Sequence, residues 1–196
     1  HNPYHDDGVK FFNADGFKLP DSVEQEIVAL LDQELAMVEP EQIGKSTLME
    51  DAKGRYIEFC KSSIAFTRSL RGMKLVIDCA NGATYHIAPT VFRELGAEVI
   101  ELGTSPNGMN INQDVGALYP ENMRAHVLEN QADLGIAFDG DGDRVMMMDA
   151  RGDVQNGDQL LYIIAKNKLV NGELDGGVVG TLMTNLGFEH ALRAQD

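Results

Sequence analysis

Residues 139–144 read DGDGDR and follow directly on an apolar run, LGIAF, at Leu134–Phe138. Three carboxylates alternate with glycines here, so in an extended backbone Asp139, Asp141 and Asp143 point the same way. Gly140 and Gly142 let the chain bend around whatever those acids face. Two carboxylates held ~5 Å apart repel by roughly 3 kcal/mol at an effective dielectric of about 20, and a third adds to the repulsion. A hard divalent cation bound through oxygen relieves it. Mg²⁺ suits this set because it accepts a few protein carboxylates and completes its shell with phosphate or water. Arg144 contributes a planar, permanently charged fork of the kind that grips phosphate. Loop, ion and arginine together read as a phosphoryl-transfer site.

Other chemistries fit these residues less well. A solvated Asp/Gly turn would use the same residue types, but it does not account for same-facing acids followed at once by arginine. A calcium-binding EF-hand loop needs glycine where Arg144 stands and a bidentate glutamate where Ala150 stands. A Mg²⁺-dependent phosphatase that forms an aspartyl-phosphate on Asp139 is the alternative enzyme. It is weakened by Asp143, which occupies a place where Thr or Val is expected.

A chain of 196 residues that is 43% hydrophobic suffices to bury a core. A net charge of -15 argues against nucleic acid or an anionic membrane as partner, since either needs clustered Lys and Arg. A phosphorylated substrate must then be attracted by a local cation rather than by the field of the whole protein. Cys60 and Cys79 lie within apolar patterns and read as buried thiols of a cytoplasmic protein, not as a disulfide framework. No apolar run approaches bilayer-spanning length and no signal peptide is visible. The first residue is His1, which reads as a trimmed or partial chain.

The elements that must carry the acidic loop follow from periodicity. A hairpin is expected early, with strands at 9–12 and 17–19 around a turn at 13–16, placing Lys10 on its first strand. A helix follows Pro20, capped by Asp21 or Ser22, with Val23, Ile27, Leu30, Leu31 and Leu35 as its apolar stripe. Residues 38–51 read as a loop. A second helix over 52–65 should turn Tyr56, Phe59, Cys60 and Ile64 inward. From Met73 apolar strands alternate with amphipathic helices, the pattern of βαβ units and a mostly parallel sheet. KLVIDCA is a strand turned by Asn81 and Gly82, 86–95 is mostly helix, and Glu98–Leu102 is the next strand. A long loop over 103–119 precedes a helix from Pro120 to about Asn130. The strand at Leu134–Phe138 then delivers the acids at its carboxyl end, where open α/β sheets bind ligands. A strand at 145–148, a turn at 151–153, a helix at 158–168, a strand at 178–181 and a helix at Leu186–Arg193 complete the chain.

The remaining polar residues are weaker candidates on spacing alone. Lys10 becomes a general acid or base only if its surroundings lower its pKa. His86 and His126 fall within helices, and no histidine pair has zinc-ligand spacing. Met146, Met147 and Met148 read as core filler on a strand. Asn107, Gly108, Asn110 and Asn112 either contact a sugar or satisfy turn geometry, with turn geometry preferred.

With HNP at the start, GVKFF, PNGMNIN and DGDGDR in that order, the chain resembles the bacterial phosphoglucosamine mutases of the α-D-phosphohexomutase superfamily. GRYIEFCK and DCANGATYHIAP resemble that branch more than the phosphomannomutase or phosphoglucomutase branches. The resemblance implies mixed, mostly parallel α/β domains: the end of a first domain at 1–65, a second with the metal loop at 66–152, and the start of a third at 153–196. It implies Mg²⁺ on Asp139, Asp141 and Asp143, with Arg144 beside the transferring phosphoryl group. A phosphoserine would immediately precede His1, so that His1 and Asn2 flank it, and Lys10 matches a general acid/base near the sugar hydroxyl. The implied reaction interconverts glucosamine 6-phosphate and glucosamine 1-phosphate through a bound 1,6-bisphosphate, in the supply of cell-wall nucleotide sugar. Because the serine and the later sugar- and phosphate-binding domains are not among these residues, no turnover is expected from this chain by itself. A cut third unit should also expose apolar surface and favour a homo-oligomer.

Overall fold

The computed structural model describes every residue except His1, Asp7, Val9, Leu35, Ala36, Phe66 and Asp196. The chain divides into two compact units, one of Asp6–Ala52 and one of His1–His5 with Lys53–Asp196.

The smaller unit holds little regular structure. The expected hairpin reduces to a single antiparallel bridge between Phe12 and Lys18, closed by the Asn13 side chain, which accepts from the Asp15 and Phe17 amides. Lys10 lies outside any strand and is exposed, while Val9 falls outside the described residues. Helix α1, Asp21–Leu31, follows Pro20 without a side-chain cap. None of its residues is buried, and Leu30 and Leu31 of the expected stripe face solvent. Residues 38–51 form a loop interrupted by one short 3₁₀ turn at Pro40–Gln42.

The larger unit is built on a five-stranded sheet: β1 Lys74–Asp78, β2 Glu98–Leu102, β3 Leu134–Phe138, β4 Val145–Asp149 and β5 Val154–Gln155. Their spatial order is β2-β1-β3-β4-β5. The β2-β1 and β1-β3 pairs are parallel, and β3-β4 and β4-β5 are antiparallel. Strand β1 is central and apolar on both faces, as a parallel strand covered on both sides must be. Leu75, Ile77 and Cys79 join a core cluster with Ala88, Ala97 and Ile136. Val76 points oppositely, into a cluster with Met123, Val127, Ala137 and Met148. Full burial of each large side chain contributes about 1.5–3 kcal/mol, so these opposed clusters fix the register of β1. Helix α3, Ala88–Glu94, covers the first face and helix α4, Pro120–Glu129, the second. Met148 is core filler, as its place on a strand foretold.

Helix α2, Ala52–Ser62, buries Ile57 and not the expected residues: Tyr56 and Phe59 stack on each other and are exposed. Beyond β5, Asn156 and Gln159 form a reciprocal cap for α5, Gly157–Val170. Asn185 caps α6, Leu186–Arg193, and also donates from its amide and carboxamide to Asp158 Oδ2 at 2.9 and 2.7 Å. The strand expected at 178–181 does not form, because no ladder partner is hydrogen-bonded to that segment among the described residues.

Candidate metal centre

Strand β1 pairs with β2 on one side and β3 on the other, which makes its carboxyl end a switch point of the kind where α/β sheets bind ligands. Three loops meet there. The turn after β1 and the turn after β3 touch at glycines: the Ala83 amide donates to the Gly140 carbonyl at 2.8 Å. A Cβ added to Gly82 would come within 2.6 Å of Gly140 Cα, so the approach requires glycine. The third loop, residues 103–119, is tied in by its Ala117 amide, which donates to the Phe138 carbonyl at 2.9 Å, and by its Asn112 amide, which donates to the Ala80 carbonyl at 2.8 Å.

Within this frame the acidic loop folds around its first carboxylate. Asp139 is buried, and its Oδ1 accepts from the Arg144 amide at 3.1 Å. The Gly142 amide donates to the Asp139 carbonyl at 3.1 Å, and Gly142 has φ +74°, a conformation that a side chain disfavours. The acids therefore converge through a tight turn, not through the extended alternation expected from their spacing. Carboxylate oxygens of Asp139, Asp141 and Asp143 all lie within 4.8 Å of one another, with Asp141 and Asp143 exposed.

The electrostatics express the crowding. Burial pushes the Asp139 carboxyl up, but the hydrogen bond from the Arg144 amide leads the interactions that bring it below its ordinary value. Desolvation and the Asp141 and Asp139 charges raise Asp143. The closeness of the Asp139 and Asp143 carboxyls works in both shifts, lowering the first and raising the second. Hard carboxylate oxygens within 4.8 Å of one another, two of them on exposed side chains, are the donor set that a hard divalent cation takes. The residues fit a hard divalent ion.

Arg144 stands over the same group, its Nε 4.0 Å from Asp139 Oδ2 and 3.8 Å from Asp143 Oδ1, with its side chain 61% exposed. The Asn2 carbonyl accepts from the Asn112 side chain at 3.0 Å. His1 lies outside the described residues, and Lys10 belongs to the smaller unit. Asn107 and Asn110 serve turn geometry as expected: Asn110 Oδ1 accepts from the Asn107 amide and Asn107 Oδ1 from the Met109 amide. His86 stacks against Tyr85 and His126 bonds the Asn122 carbonyl within α4, neither near the acids in role. The contribution that sequence reasoning missed is Asp78. Buried at the end of β1, it accepts from the Ala80 and Gly116 amides at 2.9 and 2.7 Å and braces two of the three loops. Its signal was a charged residue closing an otherwise apolar strand.

Residues 54–152, half of the chain, match the family model for phosphoglucomutase/phosphomannomutase, alpha/beta/alpha domain II. The chain belongs to the phosphoglucomutase/phosphomannomutase family. Residues 1–37 match the same family's domain I model and residues 156–196 its domain III model. A phosphoglucosamine mutase of Methylobacillus flagellatus is 62% identical over 192 residues, covering 98% of this chain and 42% of that protein. One of Aeromonas hydrophila is 61% identical over 193 residues, covering 98% and 44%. The chain thus spans less than half the length of the curated relatives it matches. Among solved structures, a phosphoglucomutase/phosphomannomutase family protein of Burkholderia thailandensis superposes with a TM-score of 0.52 at 32% identity, over 61% of this chain and 26% of that one. A putative phosphomannomutase of Thermus thermophilus superposes at 0.58 over 80% and 36%, and at 20% identity it shows the shared fold alone. These relatives are named as mutases, and the aspartyl-phosphate phosphatase finds no support among them. No helix among the described residues is long and apolar enough to cross a membrane.

Proposed function

We propose that these residues form the metal-binding core of a phosphoglucosamine mutase, an isomerase of amino sugar metabolism that interconverts glucosamine 6-phosphate and glucosamine 1-phosphate in cytoplasmic cell-wall precursor synthesis. The observation that carries the reading is the convergence of Asp139, Asp141 and Asp143 within 4.8 Å at the end of a strand beside the switch point. The division into domains at 1–65, 66–152 and 153–196 belongs to the same proposal. Exposed Leu30, Leu31, Leu182 and Met183 support self-association, which sedimentation would read out.

In this reading Asp139, Asp141 and Asp143 would hold Mg²⁺, which would supply charge neutralisation for the transferring phosphoryl group. Arg144, projecting from the same loop, orients that group by the planar match of guanidinium and phosphate. His1 and Asn2 would flank the phosphoserine. Lys10 would take the proton of the sugar hydroxyl as that hydroxyl oxygen bonds phosphorus and the serine Oγ–phosphorus bond breaks. In the second transfer the freed serine oxygen attacks the other phosphate and Lys10 returns the proton to the departing sugar oxygen. Such reactions depend mainly on positioning and charge neutralisation.

Calorimetry tests the reading directly. Wild-type chain should bind Mg²⁺, and Asp141→Ala should weaken binding at least about tenfold, the loss of one charged ligand. Equal affinity in the two proteins would remove the metal centre from the proposal. Beryllofluoride treatment followed by mass analysis checks the chemistry separately: an adduct on Asp139 would favour aspartyl-phosphate chemistry instead.

A further inference from the structure

Asn112 touches both sides of the centre. Its Nδ2 donates to the Asn2 carbonyl at 3.0 Å across a sequence separation of 110 residues, and the residue is buried. Towards the acidic loop, a Cβ built on Gly140 would meet this same Nδ2 at 2.7 Å and Ile111 Cδ1 at 2.8 Å. The missing side chain at Gly140 is what lets the carboxamide lie against that loop. The backbone of Asn112 is held independently. Its amide donates to the Ala80 carbonyl at 2.8 Å, and its φ is +56°, a left-handed conformation that asparagine tolerates but does not prefer. A sparsely populated conformation kept at a buried polar residue persists only where its surroundings hold it. Here the holding groups are the end of β1 and, one turn along the same loop, the Gly116 amide on Asp78.

We infer that Asn112 is a positioning residue whose carboxamide clamps the Asn2 backbone against the Gly140 edge of the acidic loop, setting the distance between the Asn2 segment and the three carboxylates. The inference rests on residues 139–144 being the phosphoryl-transfer centre. It deepens that reading, since a group carried beside Asn2 then meets the acids at a fixed separation, and small misplacements of reacting groups are expensive in rate. Asn112 touches neither the acids' oxygens nor a reacting group in this role. It acts through Asn2.

Two substitutions separate clamp from scaffold. Asn112→Gly removes the carboxamide while accepting φ +56° without strain. Asn112→Asp keeps the shape, but its carboxylate cannot donate to the Asn2 carbonyl. ¹⁵N relaxation on the 196-residue chain is the first readout: order parameters of Tyr4 and His5 should fall in both variants towards the flexible range below about 0.6, with those of β1 unchanged. Unaltered values at Tyr4 and His5, or an equal fall in β1, would overturn the clamp. The second readout is steady-state kinetics in a full-length enzyme carrying these residues, where kcat should drop about tenfold with KM for the sugar phosphate held, the signature of lost positioning. A clamp that loosens without changing kcat would overturn the positioning role. If the unsubstituted enzyme has no mutase activity, the functional reading fails on that result alone, and the relaxation data still decide whether Asn112 holds Asn2.

Discussion

The Asp78 carboxylate accepts from the Gly116 amide at 2.7 Å, joining the end of β1 to a loop 38 residues further along the chain. Its second oxygen accepts from the Ala80 amide at 2.9 Å, and burial raises the carboxyl above its ordinary pKa while both bonds pull it back. In Asp78→Asn one of the two amides must face an NH₂ group in place of an acceptor. An unsatisfied buried donor is worth about 1–3 kcal/mol. Urea unfolding at pH 7 should show a loss in that range, and wild-type stability in the variant would mean that the two bonds brace nothing.

Gly82→Ala is expected to disturb the candidate metal centre through the Gly140 backbone. The new Cβ would meet Gly140 Cα at 2.6 Å and Gly140 C at 2.7 Å, backbone atoms that no rotamer change can move aside. Overpacking of this kind is worth about 1–3 kcal/mol. Because the displaced atoms belong to the acidic loop, Mg²⁺ affinity should fall together with stability. Gly108→Ala is the control: it has φ +88° but nothing within 4 Å, so only its backbone is strained and the metal titration should match wild type.

Cys79 should be silent to thiol reagents in the folded protein. Burial pushes its thiol up to about 11, with the neighbouring Asp78 and Glu101 charges adding to the shift. At pH 8 iodoacetamide should therefore label the partly exposed Cys60 first, and Cys79 only after unfolding. Equal labelling rates in native protein would contradict the buried placement.

The same shift has a consequence for alkaline stability. Above about pH 9 the unfolded thiol ionises while the folded one stays protonated, so the native state binds more protons and its stability falls as pH rises towards 11. Raising the thiol from 9.0 to about 11 corresponds to roughly 2–3 kcal/mol. Comparing unfolding of wild type and Cys79→Ala between pH 8 and 11 isolates this decline, which should be missing from the variant.

Strands β1 to β4 and helices α1 to α6 could be read from apolar periodicity, and burial on both faces of a parallel strand leaves runs such as LVI at 75–77 with no polar interruption. The acidic loop was legible from composition. Its geometry was not: alternation suggested extended backbone, whereas Gly142 and the Arg144 amide curl the segment around Asp139. Tyr56 and Phe59 illustrate a second limit, since a stripe of large apolar residues states which face seeks burial without naming a neighbour, and Ile57 took the inner position. Strand β5, Val154–Gln155, has two residues and too little pattern to detect. The Asn112 to Asn2 bond spans a separation over which local spacing carries no information.

The acidic loop is the connection of an antiparallel hairpin, with Phe138 paired to Val145 on either side of it. Both stems are therefore anchored before an ion arrives, and the freedom left to be lost lies mainly in the two outer aspartate rotors. Capture should then be governed by how fast the cation sheds its own water, making the on-rate differ strongly between metals of unlike hydration while varying little with solvent viscosity.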